Sequence, residues 1–260
     1  MIRSPLGLRL DDTMRVRDQV REAAVAGAKG LVLDAAGELA PHRLGETGRR
    51  DLRQLLRSVE LSLIAFVLPT RRAFDTLDDL DERLVRAERA FKMTFETGAN
   101  LVLARVGPVP PETDAARRDA WMTAVRELGR RAEHLGVRFA VEAGAEPGST
   151  LKPALEALDV PTLCAGVDPG DFMRHALNPI SSVRDLGALV AHAYASEWQP
   201  TAPSLENPLG FGFRPGVVDW VEYLGALEEV DYRGYLTIRV NPGRPVAPQF
   251  AALADKFKRF

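Results

Sequence analysis

Eight apolar, strand-like runs, each followed by a helical pattern, limit what this 260-residue chain can become more than any other feature. They cover residues 6–10, 31–34, 61–68, 101–106, 137–142, 163–168, 189–197 and 235–240. Asp11, Asp12 and Thr13 supply N-caps for a first helix carrying Val16, Val20, Ala23 and Ala24, and Gly27 stops it. Leu77, Leu80, Leu84, Ala87, Phe91 and Phe95 form the apolar stripe of a third helix that ends at Gly98. Pro110-Pro111-Glu112 opens a long helix carrying Trp121, Val125 and Leu128. Ser149 or Thr150 caps a short helix with Pro153 in its first turn, and Asn178-Pro179 interrupts another between 172 and 186. Strands alternating with helices imply a parallel sheet with right-handed crossovers. Eight such units at this length fit one closed (β/α)8 barrel, a single TIM-barrel domain over residues 1–260. The runner-up, a doubly wound open sheet, lacks support, because no Gly-x-Gly-x-x-Gly and no P-loop follows any strand.

Composition narrows the function. Hydrophobic residues are 46% and charged residues 27%, enough apolar material for a core, and the net charge is −2. No global field points to nucleic acid or to a membrane surface, and no apolar run approaches spanning length. The N-terminus has no signal-peptide core, and the one cysteine, Cys164, lies inside a strand-like run. That excludes an internal disulfide and a cysteine-based zinc site, and the expectation is a reduced, cytoplasmic protein with an inert core thiol.

Two strands end alike. Val137–Glu142 and 163–168 are apolar runs closed by a carboxylate, with glycine soon after, and chemistry in α/β folds gathers at such strand ends. Side chains alternate along a strand, so Arg138, Ala140 and Glu142 share a face, as do Cys164, Gly166 and Asp168, and His192, Tyr194 and Ser196. Leu236, Ile238 and Val240 suit the helix side of the last strand, which leaves Thr237 and Arg239 inward. The mouth of the barrel is then expected to hold the acids Asp34, Glu142 and Asp168, the bases Arg9, Arg105 and Arg239, and the pair His192/Tyr194. Glu197 and Trp198 sit just beyond.

The order Ala140-Val141-Glu142, Val167-Asp168-Pro169-Gly170, Ala191-His192-Ala193-Tyr194 resembles the xylose isomerase-like TIM barrels, the sugar phosphate isomerase/epimerase group. Pro208-Leu209-Gly210-Phe211-Gly212, Val218-Asp219-Trp220 and Tyr232-Arg233-Gly234-Tyr235 extend the resemblance over the whole chain. It implies one divalent metal (Mn, Mg or Zn) held by Glu, Asp, His and Glu at strand ends, with the two glutamates moving a proton next to a carbonyl. Glu142 and Asp168 match the first two ligands. Tyr194 stands at the position of the histidine, Arg239 at that of the second glutamate, and Asp171 where a further histidine is often found. Two carboxylates give at best a weak site, and Arg239 has no acceptor to offer.

Glu142 and Asp168 therefore mark either a ligand site or a buried ion-pair network with Arg239 and Arg105. His192 and Tyr194 suit a hydrogen-bonded interior better than metal ligation. The resemblance implies a sugar or sugar-phosphate isomerase/epimerase with Glu142 as base and Arg9, Arg105 or Arg239 binding phosphate or carboxylate. The alternative is a metal-free, non-catalytic barrel that binds a small anionic or polyol ligand. An endonuclease acting on abasic DNA would need a histidine-rich three-zinc site, and four scattered histidines do not supply one. Residues 199–216, with Phe211 and Phe213 after Trp198, suit a lid or the contact of a homodimer.

Overall fold

The computed structural model describes residues 4–10, 13–197, 217–241 and 243–257. Its eight strands are β1 (Leu6–Arg9), β2 (Gly30–Asp34), β3 (Ser62–Leu68), β4 (Leu101–Ala104), β5 (Arg138–Glu142), β6 (Leu163–Val167), β7 (Val190–Ala195) and β8 (Leu236–Arg239). All neighbours are parallel, in the closed order β1-β2-β3-β4-β5-β6-β7-β8. The helices are α1 (Val16–Ala26), α2 (Glu46–Ser58), α3 (Leu80–Thr97), α4 (Ala115–His134), α5 (Gly148–Glu156), α6 (Pro169–Arg174), α7 (Pro179–Leu186), α8 (Trp220–Glu229) and α9 (Val246–Phe257). The chain is a (β/α)8 barrel, as the alternation of patterns requires.

The period of two along each strand divides the apolar residues between two cores. Val32, Ala65, Val67, Leu103, Ala140, Cys164 and Tyr194 fill the inside of the barrel. Leu31, Leu33, Phe66, Val102, Phe139, Val141, Leu236 and Ile238 face the helices and belong to the larger outer core. Cys164 is 1% exposed, and burial pushes its thiol up to about 11, so it is an inert interior group.

Several local expectations are corrected by packing. Helix α1 starts at Val16 with Arg15 at the N-cap and no side-chain cap, and Asp11 and Asp12 lie outside the described residues. Leu77 and Phe95 are 61% and 60% exposed, so the buried stripe of α3 runs instead through Leu84, Ala87, Phe91 and Thr94. Asp114, not the Pro110-Pro111-Glu112 run, starts α4, its side chain accepting from the Arg117 N–H. Pro147 is the N-cap of α5, so Ser149 and Thr150 fall inside the helix and cap nothing. Asn178 does cap α7, accepting from the N–H groups of Ile180 and Ser181.

The tail motifs acquire physical reasons. The Tyr232 hydroxyl accepts from Ala193 N (3.1 Å) and donates to the Tyr235 carbonyl (2.6 Å), tying β7 to the start of β8. Its ring folds over Gly234, where a Cβ would lie 2.5 Å from the hydroxyl oxygen. Asp219 caps α8 through Glu222 N (3.1 Å), and Trp220 Nε1 donates to Glu197 Oε1 (3.0 Å). The Val-Asp-Trp motif thus starts a helix and anchors the end of β7.

Gly144, two residues beyond Glu142, has φ +145°, and a Cβ there would lie 2.8 Å from the Cβ of Asp171. Only glycine adopts this backbone freely while letting the β6 rim approach so closely. Gly144→Ala is expected to lower stability by about 1–3 kcal/mol. The midpoint of urea unfolding reads this; an unchanged midpoint would mean that the turn relaxes at no cost.

Candidate active site

Parallel strands of a closed barrel deliver their C-terminal ends to one rim. There β1 presents Arg9, β2 Asp34 and β5 Glu142, while Arg105 follows β4 and Asp168 follows β6. Ser196 follows β7, and Arg239 ends β8. Asp168 caps α6, accepting from Gly170 N at 3.0 Å, with Pro169 in the first turn. The Asp-Pro-Gly sequence is therefore a helix start that also fixes a carboxylate at the mouth.

The charges form one connected network. Arg9 donates to Asp34 (2.9 Å) and Tyr194 (3.1 Å), and its Nη1 lies 3.4 Å from Glu142 Oε1. Tyr194 donates to the same Glu142 oxygen (3.2 Å). Arg105 Nε lies 3.6 Å from Glu142 Oε2, and its guanidinium also pairs with Asp171. Arg239 pairs with Asp168 and stands 3.6 Å from Asp171. Arg174 approaches Asp171 at 3.5 Å. Asp171 thus meets three arginines; in the sequence it stood out only as the residue at a family histidine's position.

The two carboxylates on which the sequence reading turned are held differently. The Asp168 side chain is 4% exposed and hydrogen-bonded to Arg239, Ser196 and Gly170 N. Burial works to raise its pKa, but Arg239, Ser196 and the Gly170 N–H outweigh burial and hold it below the usual carboxylate range. Glu142 is gripped loosely, its three contacts running from 3.2 to 3.6 Å. Bonds of that length are weak, and a carboxylate so held can turn toward a ligand.

His192 lies one layer below, 1% exposed, its ring edge-on to Tyr194 at 4.5 Å. Burial drives its pKa down to about 3; the charge of Arg9 adds to this and Asp168 opposes it. It is a neutral interior imidazole whose Nε2 has no hydrogen-bond partner among the described residues. Burial, with the charge of Glu142, carries the Tyr194 phenol well above its ordinary pKa, so it stays protonated. Glu197 stands aside, bonded to Trp220 and to Lys256 (3.2 Å). Trp198 and the 199–216 segment lie outside the described residues.

A divalent metal does not fit this donor set. Among the four positions at issue, Arg239 carries no lone pair and Tyr194 is a neutral phenol. Glu142 and Asp168 are the two oxygen donors left, and both already accept from arginines. No group of three His, Cys, Asp or Glu side chains among the described residues is arranged to hold a metal.

One residue at the mouth escaped the sequence reading. Glu146, between β5 and α5, is 9% exposed and accepts from Val109 N at 2.9 Å, joining two loops of the mouth. Burial raises its pKa to about 7, against the Val109 N–H and the charge of His175, which lower it. Its signal was present: Glu146-Pro147-Gly148 repeats the acid-Pro-Gly pattern of Asp168-Pro169-Gly170.

Comparison with known proteins agrees with this architecture. The family model described as "Xylose isomerase-like TIM barrel" matches residues 20–259. None of the curated proteins matches the sequence. Among solved structures, a xylose isomerase domain protein from Planctomyces limnophilus is similar with TM-score 0.81 and 18% identity, over 98% of this chain and 95% of that one. D-psicose 3-epimerase from Clostridium cellulolyticum H10, solved with D-tagatose, gives 0.73 at 15%, over 95% and 89%. The 3-keto-D-glucoside 4-epimerase of E. coli gives 0.74 at 14%, over 98% and 99%. At such identities the likeness concerns the fold. No described helix is long and apolar enough to cross a membrane.

Two tests follow from the charges. Arg239→Glu replaces the cation beside Asp168 and Asp171 with a carboxylate, and calorimetry is expected to register Mn²⁺ binding tighter than the parent's. A folded variant that binds Mn²⁺ no more tightly would show that the strand ends do not converge as a ligand set. The second test concerns pH. An unfolded histidine titrates near ~6.5 and an unfolded glutamate near ~4.3. With His192 at about 3, the unfolded chain binds the extra proton between those values, so its contribution to stability falls as pH drops. With Glu146 at about 7, the folded chain binds the extra proton, so its contribution falls as pH rises. Between about pH 4.3 and 6.5 the two oppose each other. His192→Leu is expected to leave stability falling with pH in that window, and Glu146→Gln to leave it rising. Urea midpoints measured across it decide, and identical slopes in parent and variants would contradict both assignments.

Proposed function

Because the chain belongs to the xylose isomerase-like TIM barrel family, we propose that it isomerises a sugar or sugar phosphate at the C-terminal mouth of the barrel. Glu142 is the base that takes a proton from the carbon next to the carbonyl. Arginines, rather than a divalent metal, hold the oxygen that becomes negative.

The observation that carries this reading is the contrast between the two carboxylates. Asp168 is held by Arg239, Ser196 and the Gly170 N–H, whereas Glu142 is held at 3.2–3.6 Å and is flanked by Arg9 and Arg105. A base needs an ionised carboxylate that can move, and an enediolate needs fixed cations beside its oxygens. Arg105, half exposed, and Arg239, a third exposed, face the mouth with their charged ends. Tyr194, protonated, orients Glu142 through its hydroxyl. Asp168 positions Arg239 and touches no reacting atom in this scheme.

One movable carboxylate favours aldose–ketose isomerisation over inversion. A single base can take a proton from one carbon and return it to the next on the same face. Inversion needs groups on both faces, and the second one expected of the family is replaced by Arg239. A second reading, binding of a polyol or small anion without turnover, draws support from the same network: four acids and their arginines satisfy one another at the mouth.

The test is proton exchange. Protein treated with a chelator is incubated in D₂O with ketoses and ketose phosphates, and deuterium at the carbon next to the carbonyl is followed by NMR. Exchange is expected without added metal, and Glu142→Gln should slow it by about 10²–10⁴-fold. Sugar binding with no exchange would establish the non-catalytic reading. Exchange that appears only with Mn²⁺ would overturn the role given to the arginines.

A further inference from the structure

Beside the mouth, between the ends of β7 and β8 and the helices α6 and α9, lies a cleft of about 380 Å³. Its size falls within the ~300–1,000 Å³ of small-molecule sites. Four cationic side chains line it, Arg174, Arg239, Arg244 and Lys256, against two carboxylates, Asp171 and Glu197. The balance is two charges positive, on a chain whose net charge is −2.

We propose that this cleft binds the phosphate of a phosphorylated substrate, with Arg174, Arg244 and Lys256 as its anchors. The proposal rests on the isomerase reading and names the substrate class for that site. Arg174 and Lys256 are half exposed and only loosely committed, at 3.5 Å to Asp171 and 3.2 Å to Glu197. Arg244 has no ion-pair partner among the described residues. Cations gathered around one cleft attract an anion and can turn to it at little cost. A phosphate monoester, a dianion with three acceptor oxygens, meets three separate cations; a carboxylate would satisfy one arginine fork. The position agrees as well, since (β/α)8 barrels recurrently seat phosphate at the loops after strands seven and eight.

The cleft borders the charge network that holds the proposed base. Asp171 and Arg239 line it and belong to the charge network, and Arg105 links Asp171 to Glu142. A sugar held by its terminal phosphate in the cleft would extend past Arg239 and bring its carbonyl end to Glu142.

Titration with inorganic phosphate, read by calorimetry in a phosphate-free buffer, tests this without turnover. Saturable binding that weakens with added salt is expected. Arg244→Ala and Arg174→Ala should each weaken it about tenfold, the scale of one charge-assisted hydrogen bond. Glu142→Gln should leave it unchanged, so failure of the base assignment and failure of the cleft are read separately. For any phosphorylated sugar that is turned over, Arg244→Ala should raise KM while kcat is kept. No binding by the parent protein, or equal binding by the Arg174→Ala/Arg244→Ala double variant, overturns the proposal. Acetate binding more tightly than phosphate at these residues overturns it in favour of a sugar acid.

Discussion

Four carboxylates brought to the rim of a closed barrel cannot stay ionised there without compensation. Desolvation of each costs several kcal/mol, and an unpaired buried charge would either protonate or unfold its surroundings. Family members answer this with a cation at the centre of the strand ends, as the resemblance implies. This chain answers it with guanidinium groups: Arg9 for Asp34 and Glu142, Arg105 for Glu142 and Asp171, Arg239 for Asp168. The substitution changes the chemistry as well as the charge. A metal ion gathers lone pairs, whereas an arginine supplies hydrogens in a fixed fork, so carboxylates that would have been ligands become acceptors.

The barrel could be read from the sequence because one simple periodicity serves two purposes. Inward and outward positions alternate on every strand, so Leu31 and Leu33 against Val32, or Phe139 and Val141 against Ala140, already name the two cores. The mouth residues were legible for the same reason: Glu142, Asp168 and Arg239 stand at the ends of their apolar runs. Less was legible where a residue's role depends on distant chain. Asp171 sits on no strand, and its meeting with Arg105 and Arg239 is made by β4 and β8 approaching from elsewhere. Glu146 becomes buried only because the loop at Val109 folds over it.

Helix starts were read least well, and the failures share a cause. Ser149 and Thr150 have good capping side chains, yet Pro147 occupies the cap, and the Ser149 N–H bonds Asp185 of the next unit instead. Propensity describes a helix in isolation, and here a neighbouring helix supplied the acceptor. Gly148 shows the same pressure, since a Cβ there would lie 2.3 Å from the Ser182 carbonyl.

The pairing of Arg239 with Asp168 also limits which single substitutions the mouth tolerates. Removing one partner of a buried pair costs about 3–5 kcal/mol, out of the roughly 5–15 kcal/mol that holds a domain folded. Changing either partner alone therefore takes up a large part of the margin that keeps the barrel folded. Losing the arginine strands Asp168, and losing Asp168 strands the arginine. The two side chains thus act as one structural element, and only a change at both positions together keeps the centre of the mouth neutral.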